Sequence, residues 1–222
     1  MTVLDTQETK EEDDRSLAGQ IARALASQIV SGALQPGTRL RQDEIAQAFR
    51  ASHVPVREAF RRLDAQGLVV TEPRRGVRVA TLDPADVIEV TEMRAVLETL
   101  ALQQAMPKLQ PSDVERAREA LEACVGQSDV TIWEAANRRF HDALTTPCAL
   151  PRLLAAISDL HRVSARHLFA TWQGLDWQPR SDDEHRALLK AVEQKRTETA
   201  CKLLREHILD AGRALAAALE RK

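Results

Sequence analysis

Cysteine is scarce in this sequence, and long apolar runs are missing. The three cysteines, Cys124, Cys148 and Cys201, are odd in number, far apart and never in a CxxC pair, which argues against a disulfide framework and against a thiolate zinc site. We therefore expect them to be small, buried apolar residues. Because no apolar stretch is long enough to cross a bilayer, the sequence predicts no membrane span and no membrane partner.

The first fifteen residues lack the apolar stretch that a signal peptide requires. They read MTVLDTQETKEEDDR and carry six acidic side chains against two basic ones. This composition predicts an acidic, disordered lead-in over residues 1–15. We expect a chain that is not secreted and that remains in the cytoplasm.

Basic residues do not exceed acidic ones in the chain as a whole, but they are concentrated in one segment. The formal net charge is −2, whereas residues 16–82 contain ten arginines, no lysine and five acidic residues. The planar guanidinium group pairs with phosphates and with guanine edges, so this segment is a candidate DNA-binding surface. A solvated basic surface without a partner is the alternative, and charge alone does not decide between them.

Helical and then strand-like periodicity marks the same segment. Apolar residues at i, i+4 spacing predict a first helix, and a second, short helix is predicted over residues 42–49. A third helix, capped by Ser52, stops at Gly67. Two β-type runs follow at residues 68–71 and 77–79, with a basic turn between them. Three helices and a β-hairpin in this order predict a winged helix-turn-helix domain.

Residues 16–82 resemble the DNA-binding domain of the GntR family of bacterial regulators, through the run GALQPGTRLRQDEIAQAFRASHVPVREAFRRLDAQGLV and the later RRGVRV. In that family the start of the third helix enters the major groove, and the wing reaches the minor groove or the backbone. The resemblance implies that the residues facing DNA are Ser52, His53, Val54, Pro55 and Arg57, with Arg41 beside them, and that the wing tip consists of Arg74, Arg75 and Gly76.

Two of these positions depart from the usual family pattern. His53 stands where an arginine is common, and Val54 stands where a threonine is common. Arg57 either contacts a base edge or clamps a phosphate. His53 either forms one hydrogen bond to the DNA or faces solvent as an unimportant turn residue.

The rest of the chain is predicted to be helical. Helical periodicity covers six stretches, residues 84–106, 111–126, 130–146, 149–173, 180–195 and 197–221, and six helices favour an antiparallel bundle. The phrases EMRAVLETLA, NRRFHDAL and DEHRALLKAV resemble the FCD effector domain of the FadR subfamily within the GntR family, in its six-helix form. The resemblance implies that residues 84–222 bind a small effector and form a homodimer. The predicted fold is mainly α, with the winged helix-turn-helix followed by an all-α bundle.

Several polar side chains fall on apolar helix faces, where burial without a partner is costly. Asn137 and His141 lie one turn apart on one helix, and His185 and His207 lie on inward faces of two others. Three imidazoles from three helices can surround one divalent cation, although each histidine taken singly is more simply a satisfied core residue. In the FCD family the corresponding residues are an aspartate and three histidines that bind a metal. The resemblance therefore implies a zinc or nickel site at these histidines, with Asn137 in place of the aspartate.

Arg94 cannot lose its charge, so it needs an anionic partner if its helix face is buried. The other residues that share this face are Val90, Met93, Leu97, Leu100 and Ala101. The FCD family binds small carboxylates beside the metal, and the resemblance implies that Arg94 grips the carboxylate of the effector. The alternative is an internal salt bridge to Glu98 or to a glutamate on a neighbouring helix.

Two other classes of function compete with a ligand-responsive regulator. A metal-dependent hydrolase would activate water at an open coordination site, but the sequence has no H-E-x-x-H motif, nucleophile elbow or phosphate loop. Glu184 adjoins His185, yet one helical step turns it about 100° away from the metal. A structural metal bundle without ligand response is the other class. We predict a non-enzymatic homodimer that represses transcription at a palindromic operator and is released by a small carboxylate.

Overall fold

The computed structural model describes residues 16–30, 33–72, 76–81, 83–172, 175 and 178–221. The chain divides into two compact units after residue 82. Within the described residues, no helix combines the length and the apolar character needed to cross a bilayer. The predicted lead-in over residues 1–15 and the predicted wing residues Arg74 and Arg75 lie outside the described residues.

The N-terminal unit combines three helices with a small antiparallel sheet. The helices are α1 (Leu17–Val30), α2 (Gln42–Ala48) and α3 (His53–Ala65), and the strands are β1 (Arg39–Leu40), β2 (Val69–Glu72) and β3 (Gly76–Val79). β3 lies between β1 and β2, with Leu40 opposite Val77 and Val70 opposite Arg78. The predicted winged helix-turn-helix is confirmed.

Two details of this unit differ from the sequence prediction. The hairpin gains a third strand, β1, which has only two residues and is therefore too short to show an alternating pattern. Ser52 is the N-cap residue of α3, as predicted, but its side chain makes no cap hydrogen bond. The residue is exposed, and water can satisfy the first amides of α3 in its place. The predicted stop is confirmed, because Gly67 has a φ of 69°, the left-handed conformation that glycine favours after a helix.

The apolar stripe of α3 is buried as the sequence predicts. Its members are Val56, Ala59, Phe60 and Leu63. The helix packs on α1, where Ile21 and Leu25 are also inaccessible to solvent. This core fixes the orientation of α3 and leaves the N-terminal residues of the helix at the surface.

The C-terminal unit is a bundle of six helices. They are α4 (Pro84–Ala105), α5 (Pro111–Cys124), α6 (Val130–Thr145), α7 (Pro151–Thr171), α8 (Gln178–Glu193) and α9 (Thr197–Glu220), with a 3-10 turn at Thr146–Cys148 after α6. Every predicted helix is present, and each end lies within two residues of its predicted position. The mainly α fold class is confirmed.

Local sequence explains where several of these helices begin. The side chain of Asp83 accepts a hydrogen bond from the Ala85 amide at 2.9 Å, and that of Asp129 accepts one from the Thr131 amide at 2.8 Å. Each bond satisfies an amide that has no partner inside the helix. Three of the six helices also begin with proline, which needs no amide partner at that position.

The core of the bundle is built mainly from two apolar clusters. The first includes Phe140, Leu144, Leu188 and Leu204, and the second includes Trp133, Leu168 and Leu215. The three cysteines are free thiols, of which Cys124 and Cys148 are buried and Cys201 is half-buried. The prediction of buried cysteines is therefore wrong for Cys201, which packs at the edge of the first cluster.

Helices α4 and α9 approach each other closely at Gly212. A Cβ atom on Gly212 would lie 2.3 Å from both Cγ2 and Oγ1 of Thr91, which is itself buried. Atoms that are not bonded do not approach so closely, so any larger side chain here must displace the facing helix. Glycine inside a helix costs about 1 kcal/mol relative to alanine by intrinsic propensity. Packing rather than propensity therefore explains this residue.

We expect Gly212→Ala to destabilise the C-terminal unit by about 1–3 kcal/mol, because the new methyl group overpacks against Thr91. Thr91→Gly removes the three clashing atoms, so the double variant should recover part of that loss. Urea denaturation followed by circular dichroism gives the coupling energy of the double-mutant cycle, which we expect to favour the pair by about 1 kcal/mol or more. A coupling energy of zero would show that the close contact does not select glycine.

Candidate functional site

Three histidines meet inside the C-terminal bundle. His141 comes from α6, His185 from α8 and His207 from α9, and each is at most 5% exposed. Nε2 of His185 lies 3.1 Å from Nε2 of His207. The ring centroid of His141 lies 5.4 Å from that of His185 and 5.5 Å from that of His207. One nitrogen from each ring lies within 4.8 Å of the other two, so the three side chains are close enough to share one cation.

Burial keeps these imidazoles neutral near neutral pH. It lowers the pKa of His185 well below the usual value, and the neighbouring His207 and His141 act in the same direction. Burial also lowers the pKa of His207, against the opposing hydrogen bond with Glu184, and the pKa of His141, against the opposing charge of Glu98. A neutral imidazole retains a lone pair on one ring nitrogen, which is the form in which histidine binds a metal.

Glu184 holds His207 from outside the cluster. Oε2 of Glu184 lies 2.8 Å from Nδ1 of His207. In a neutral ring Nδ1 then donates the hydrogen bond, which leaves Nε2 with its lone pair beside His185. The helical period predicts that Glu184 points away from the histidine cluster, but it cannot predict this contact, because Glu184 and His207 lie on different helices.

Glu98 joins the histidine cluster to Arg94. Its carboxylate is completely buried, with Oε1 2.8 Å from Nε of Arg94 and 3.1 Å from Nε2 of His161, and with Oε2 3.0 Å from Nδ1 of His141. Burial alone would raise the pKa of Glu98, but Arg94, His161 and His141 together hold it well below the usual value. A charged carboxylate is therefore shared between a guanidinium group and two imidazoles. Glu98 was predicted only as an alternative partner of Arg94, and its contact with His161 was not predicted.

The residues around the cluster fit a bound metal ion. In the described part of the chain, Nε2 of His141 and Oδ1 of Asn137 are buried and have no hydrogen-bond partner. These two atoms and the lone pair of His207 are nitrogen and oxygen donors of the kind that a divalent cation takes. The N–N separation of 3.1 Å between His185 and His207 suits two ligands with metal–nitrogen bonds of about 2.0–2.1 Å. The cluster can therefore hold a metal ion, as the sequence predicts.

A small cavity of about 50 Å³ opens beside the cluster. Its polar lining consists of Arg94, Trp133, Glu134, Asn137, His141, His161, Ser164, Ser181 and His207. Three of the four predicted metal residues and the predicted effector residue thus line one space. The apolar side of the lining is contributed by Ala165, Leu168, Leu175, Ile208, Ala211 and Leu215. The cavity is suited to a small molecule with one charged end.

Arg94 already has partners within the protein. Its Nε donates to Glu98 at 2.8 Å and its Nη1 donates to Ser164 at 3.0 Å, so the alternative of an internal salt bridge is observed. The side chain of Arg94 is 11% exposed and lines the cavity.

The predicted apolar face of α4 is only partly buried. Val90 and Ala101 are buried, but Met93 and Leu100 are 47% and 42% exposed, because they lie toward the outer edge of that face.

The predicted DNA-facing residues lie together at the start of α3. Ser52, His53, Val54 and Arg57 are exposed, and Pro55 is half-buried. Nδ1 of His53 lies 3.6 Å from Oδ1 of Asp43, and the backbone carbonyl of His53 accepts a hydrogen bond from the Gln42 side chain at 3.1 Å. These contacts tie the start of α3 to α2 and hold the exposed residues on one surface.

A basic groove of about 580 Å³ adjoins this surface. Four arginines line it, namely Arg39, Arg41, Arg57 and Arg61, together with Gly76 from β3. The guanidinium group of Arg39 passes over Gly76, with Nε and Nη2 3.7 Å from where a Cβ would lie. Arg39 was not predicted to belong to the DNA-facing surface, because the two-residue strand that carries it is too short to predict. The clustered positive charge suits the phosphate backbone of a nucleic acid.

Both units match known families. Residues 89–210 match the FCD domain, and residues 17–79 match the family described as bacterial regulatory proteins, gntR family. The chain belongs to the GntR family. The FCD domain places the chain in the FadR form of that family. Members of the GntR family regulate transcription and are not enzymes, so the metal-dependent hydrolase is not supported.

Relatives in the GntR family cover most of the chain. The chain is 34% identical over 146 residues to an uncharacterized HTH-type transcriptional regulator in the TAR-I ttuE-ttuC' intergenic region of Agrobacterium vitis, covering 62% of this chain and 85% of that protein. It is 27% identical over 198 residues to the HTH-type transcriptional repressor GlaR of Escherichia coli K12, covering 84% and 90%. Among solved structures, E. coli McbR/YncC has a TM-score of 0.68 at 25% identity, covering 93% of this chain and 98% of that one.

We expect Glu184→Gln to lower the affinity for nickel or zinc by about 10- to 100-fold, because the hydrogen bond that orients His207 is weakened. Asp183→Asn is the matched control, since Asp183 is the preceding residue, is exposed and pairs with Arg186 at the surface. Competition with a chromophoric chelator measures both affinities. Equal affinities of the two variants would contradict the role of Glu184.

Proposed function

We propose that this GntR-family regulator is a homodimeric repressor that leaves a palindromic operator when a small carboxylate binds in its FCD domain. The observation that carries this proposal is the shared cavity beside the histidine cluster, lined at once by Arg94 and by His141 and His207. A guanidinium group and a bound cation would both attract an anion. The two positive groups on one small cavity define where a carboxylate would bind.

We assign the histidine cluster to zinc or nickel. Neutral imidazole nitrogens suit both ions, whereas calcium and magnesium prefer oxygen ligands. His141, His185 and His207 would hold the ion, and Asn137 would contribute its neutral carbonyl oxygen in place of a carboxylate. When bound, the ion supplies a positive charge and open coordination positions for ligand oxygens.

Arg94 retains the capacity to bind an effector although it pairs with Glu98. The guanidinium group has five N–H donors, and its bonds to Glu98 and Ser164 leave Nη2 without a hydrogen-bond partner in the described part of the chain. Glu98 neutralises Arg94 in the absence of a ligand, and it fixes the orientation of the guanidinium plane. An effector carboxylate would therefore meet a positioned donor rather than a mobile side chain.

The exposed start of α3 supports DNA binding through the major groove. Arg57 has no ion-pair partner among the described residues, whereas the neighbouring Arg61 is paired with Glu58 at 2.9 Å. Val54 is 64% exposed, and an apolar side chain in this place can contact a thymine methyl group. The groove arginines would supply phosphate contacts.

An apolar stripe on α4 supports the homodimer. Met93, Val96 and Leu100 are 47%, 54% and 42% exposed and lie on one side of the helix. Contiguous exposed apolar residues of this kind mark surfaces that bind another protein. Two identical subunits would present two α3 helices to two half-sites, as a palindromic operator requires. Sedimentation analysis that finds only monomers at micromolar concentration would contradict the dimer.

The effector changes DNA affinity only if it binds the DNA-competent and incompetent arrangements unequally. A typical coupling of about 1–3 kcal/mol alters operator affinity roughly 5- to 150-fold. Anisotropy titrations of a labelled operator duplex, with and without a saturating acid, measure this coupling. If no small carboxylic acid alters operator affinity, the bundle is structural and the sensor function is wrong.

We expect Arg57→Gln to weaken binding to an operator duplex, selected by the parent protein from a random pool, by about 5- to 150-fold. Arg186→Gln is the control, because Arg186 is an exposed, paired arginine in the C-terminal unit. The same loss on an unrelated duplex indicates a phosphate clamp, and a loss confined to the selected duplex indicates base contact. No loss on either duplex would remove Arg57 from the interface.

We expect the effector to stabilise the metal-loaded protein by about 2.7 kcal/mol at 100 times its dissociation constant, and we expect substitution of Arg94 to abolish that effect. Arg94→Gln alone leaves Glu98 buried without its guanidinium partner, which is strongly destabilising. The double variant Arg94→Gln with Glu98→Gln avoids the unpaired charge and serves as the folded test protein. Thermal shifts with a panel of small carboxylic acids give the comparison. An unchanged shift in the double variant would remove Arg94 from the effector site.

A further inference from the structure

The cavity beside the histidine cluster contains hydrogen-bonding groups that a simple carboxylate leaves unused. Nε1 of Trp133 and Oγ of Ser181 are buried and have no hydrogen-bond partner in the described part of the chain. Both residues line the cavity, and they are 3% and 0% exposed. Arg94 and the histidine cluster account for the carboxylate end of a ligand, so these two groups are available to a different part of it.

The chemistry of the two groups narrows the class of ligand. An indole N–H is a donor only, and a serine hydroxyl both donates and accepts. Buried polar groups in folded proteins almost always have a partner, so each unpartnered group here indicates a ligand atom that would complete it. Trp133 requires an acceptor atom, and an alcohol or carbonyl oxygen is the simplest atom that both side chains can bind.

The volume of the cavity limits the size of the ligand. A buried water needs about 10–15 Å³ measured for a water-sized sphere, and the cavity measures about 50 Å³. A short carboxylic acid fits this volume.

The apolar lining indicates what the rest of the ligand is. Leu168, Ile208 and Leu215 line the cavity. Their side chains offer no hydrogen-bonding or positively charged group to a second carboxylate. A dicarboxylate would bury its other carboxylate there without a counterion, which is unfavourable. A single carboxylate on a short hydrocarbon skeleton with one further oxygen suits this mixed lining.

We infer that the effector is a short monocarboxylic acid with a hydroxyl or oxo group, and that Trp133 and Ser181 recognise this second oxygen. The inference rests on the proposed sensor function and specifies its ligand. Arg94 and the metal bind the carboxylate, while Nε1 of Trp133 donates to the second oxygen and Oγ of Ser181 bonds to the same atom. Trp133 and Ser181 are therefore specificity-determining residues.

Three acids with the same carbon skeleton test the inference. The acids differ at the carbon next to the carboxylate. Propionate has two hydrogens there, lactate has a hydroxyl group, and pyruvate has an oxo group. Calorimetric titration into nickel-loaded, dialysed full-length protein is expected to give lactate or pyruvate at least about tenfold higher affinity than propionate, the effect of one or two hydrogen bonds. Whichever of the two binds more tightly identifies the second oxygen as hydroxyl or oxo.

Two substitutions test which side chains cause the preference for lactate or pyruvate over propionate. Trp133→Phe keeps an aromatic ring but removes the N–H, and Ser181→Ala removes the hydroxyl group. Each is expected to reduce the preference over propionate to about threefold or less, while propionate affinity changes by less than about twofold. Trp172→Phe is the matched control, because Trp172 packs on Trp133 at 5.4 Å between ring centroids but donates its N–H to the Ser128 carbonyl, and it does not line the cavity. We expect that variant to retain the parental preference.

The outcomes separate this inference from the proposed sensor function. Equal affinities for the three acids, or a preference that persists in both cavity variants, would overturn the roles of Trp133 and Ser181 and leave a carboxylate sensor in place. Tight binding of citrate or succinate with no binding of the three-carbon acids would overturn the inferred single carboxylate in the same way. If no carboxylic acid binds the nickel-loaded protein, the inference and the sensor function fail together.

Discussion

In the C-terminal unit, the carboxylate of Glu98 lies in the protein interior with an arginine and two histidines within about 3 Å. A buried charge is tolerated only when its partners offset the loss of water, and here the partners belong to α4, α6 and α7. One oxygen meets Arg94 and His161, and the other meets His141. The position of the guanidinium group and the orientation of His141 therefore depend on the same side chain. Any molecule that binds Arg94 acts on a group that contacts the histidine cluster through Glu98.

The fold was predictable because its signals are local. Six helices show a clear helical period, and proline or aspartate stands at several of their starts, so the predicted ends agree with the structure to within two residues. Strand β1 could not be predicted, since two residues have no period and form a strand only by pairing with β3. Ser52 stands at the N-cap position of α3 but makes no cap hydrogen bond, which the sequence also could not predict. Residue type indicates a capacity to cap, but side-chain orientation and solvent decide whether the hydrogen bond forms.

The candidate site was predictable where residues project inward from a helix face. His141, His185 and His207 lie on apolar stripes, and the FCD resemblance identified them as one group. The contacts of Glu184 with His207 and of His161 with Glu98 were not predictable, because they join helices that are distant in sequence. Spacing along one helix cannot show which residue of another helix lies opposite. Sequence therefore indicates the clustered histidines better than it indicates the groups that orient them.

The wall of the cavity is also part of the hydrophobic core. Leu168, Leu215 and Trp133 line the cavity beside the histidine cluster, and the same three side chains belong to one of the two main apolar clusters. Cutting back such a residue to admit a bulkier molecule would cost about 2–5 kcal/mol of folding free energy, a large share of what a domain of this kind has. Any engineered widening of this cavity would therefore need stabilising changes elsewhere in the bundle.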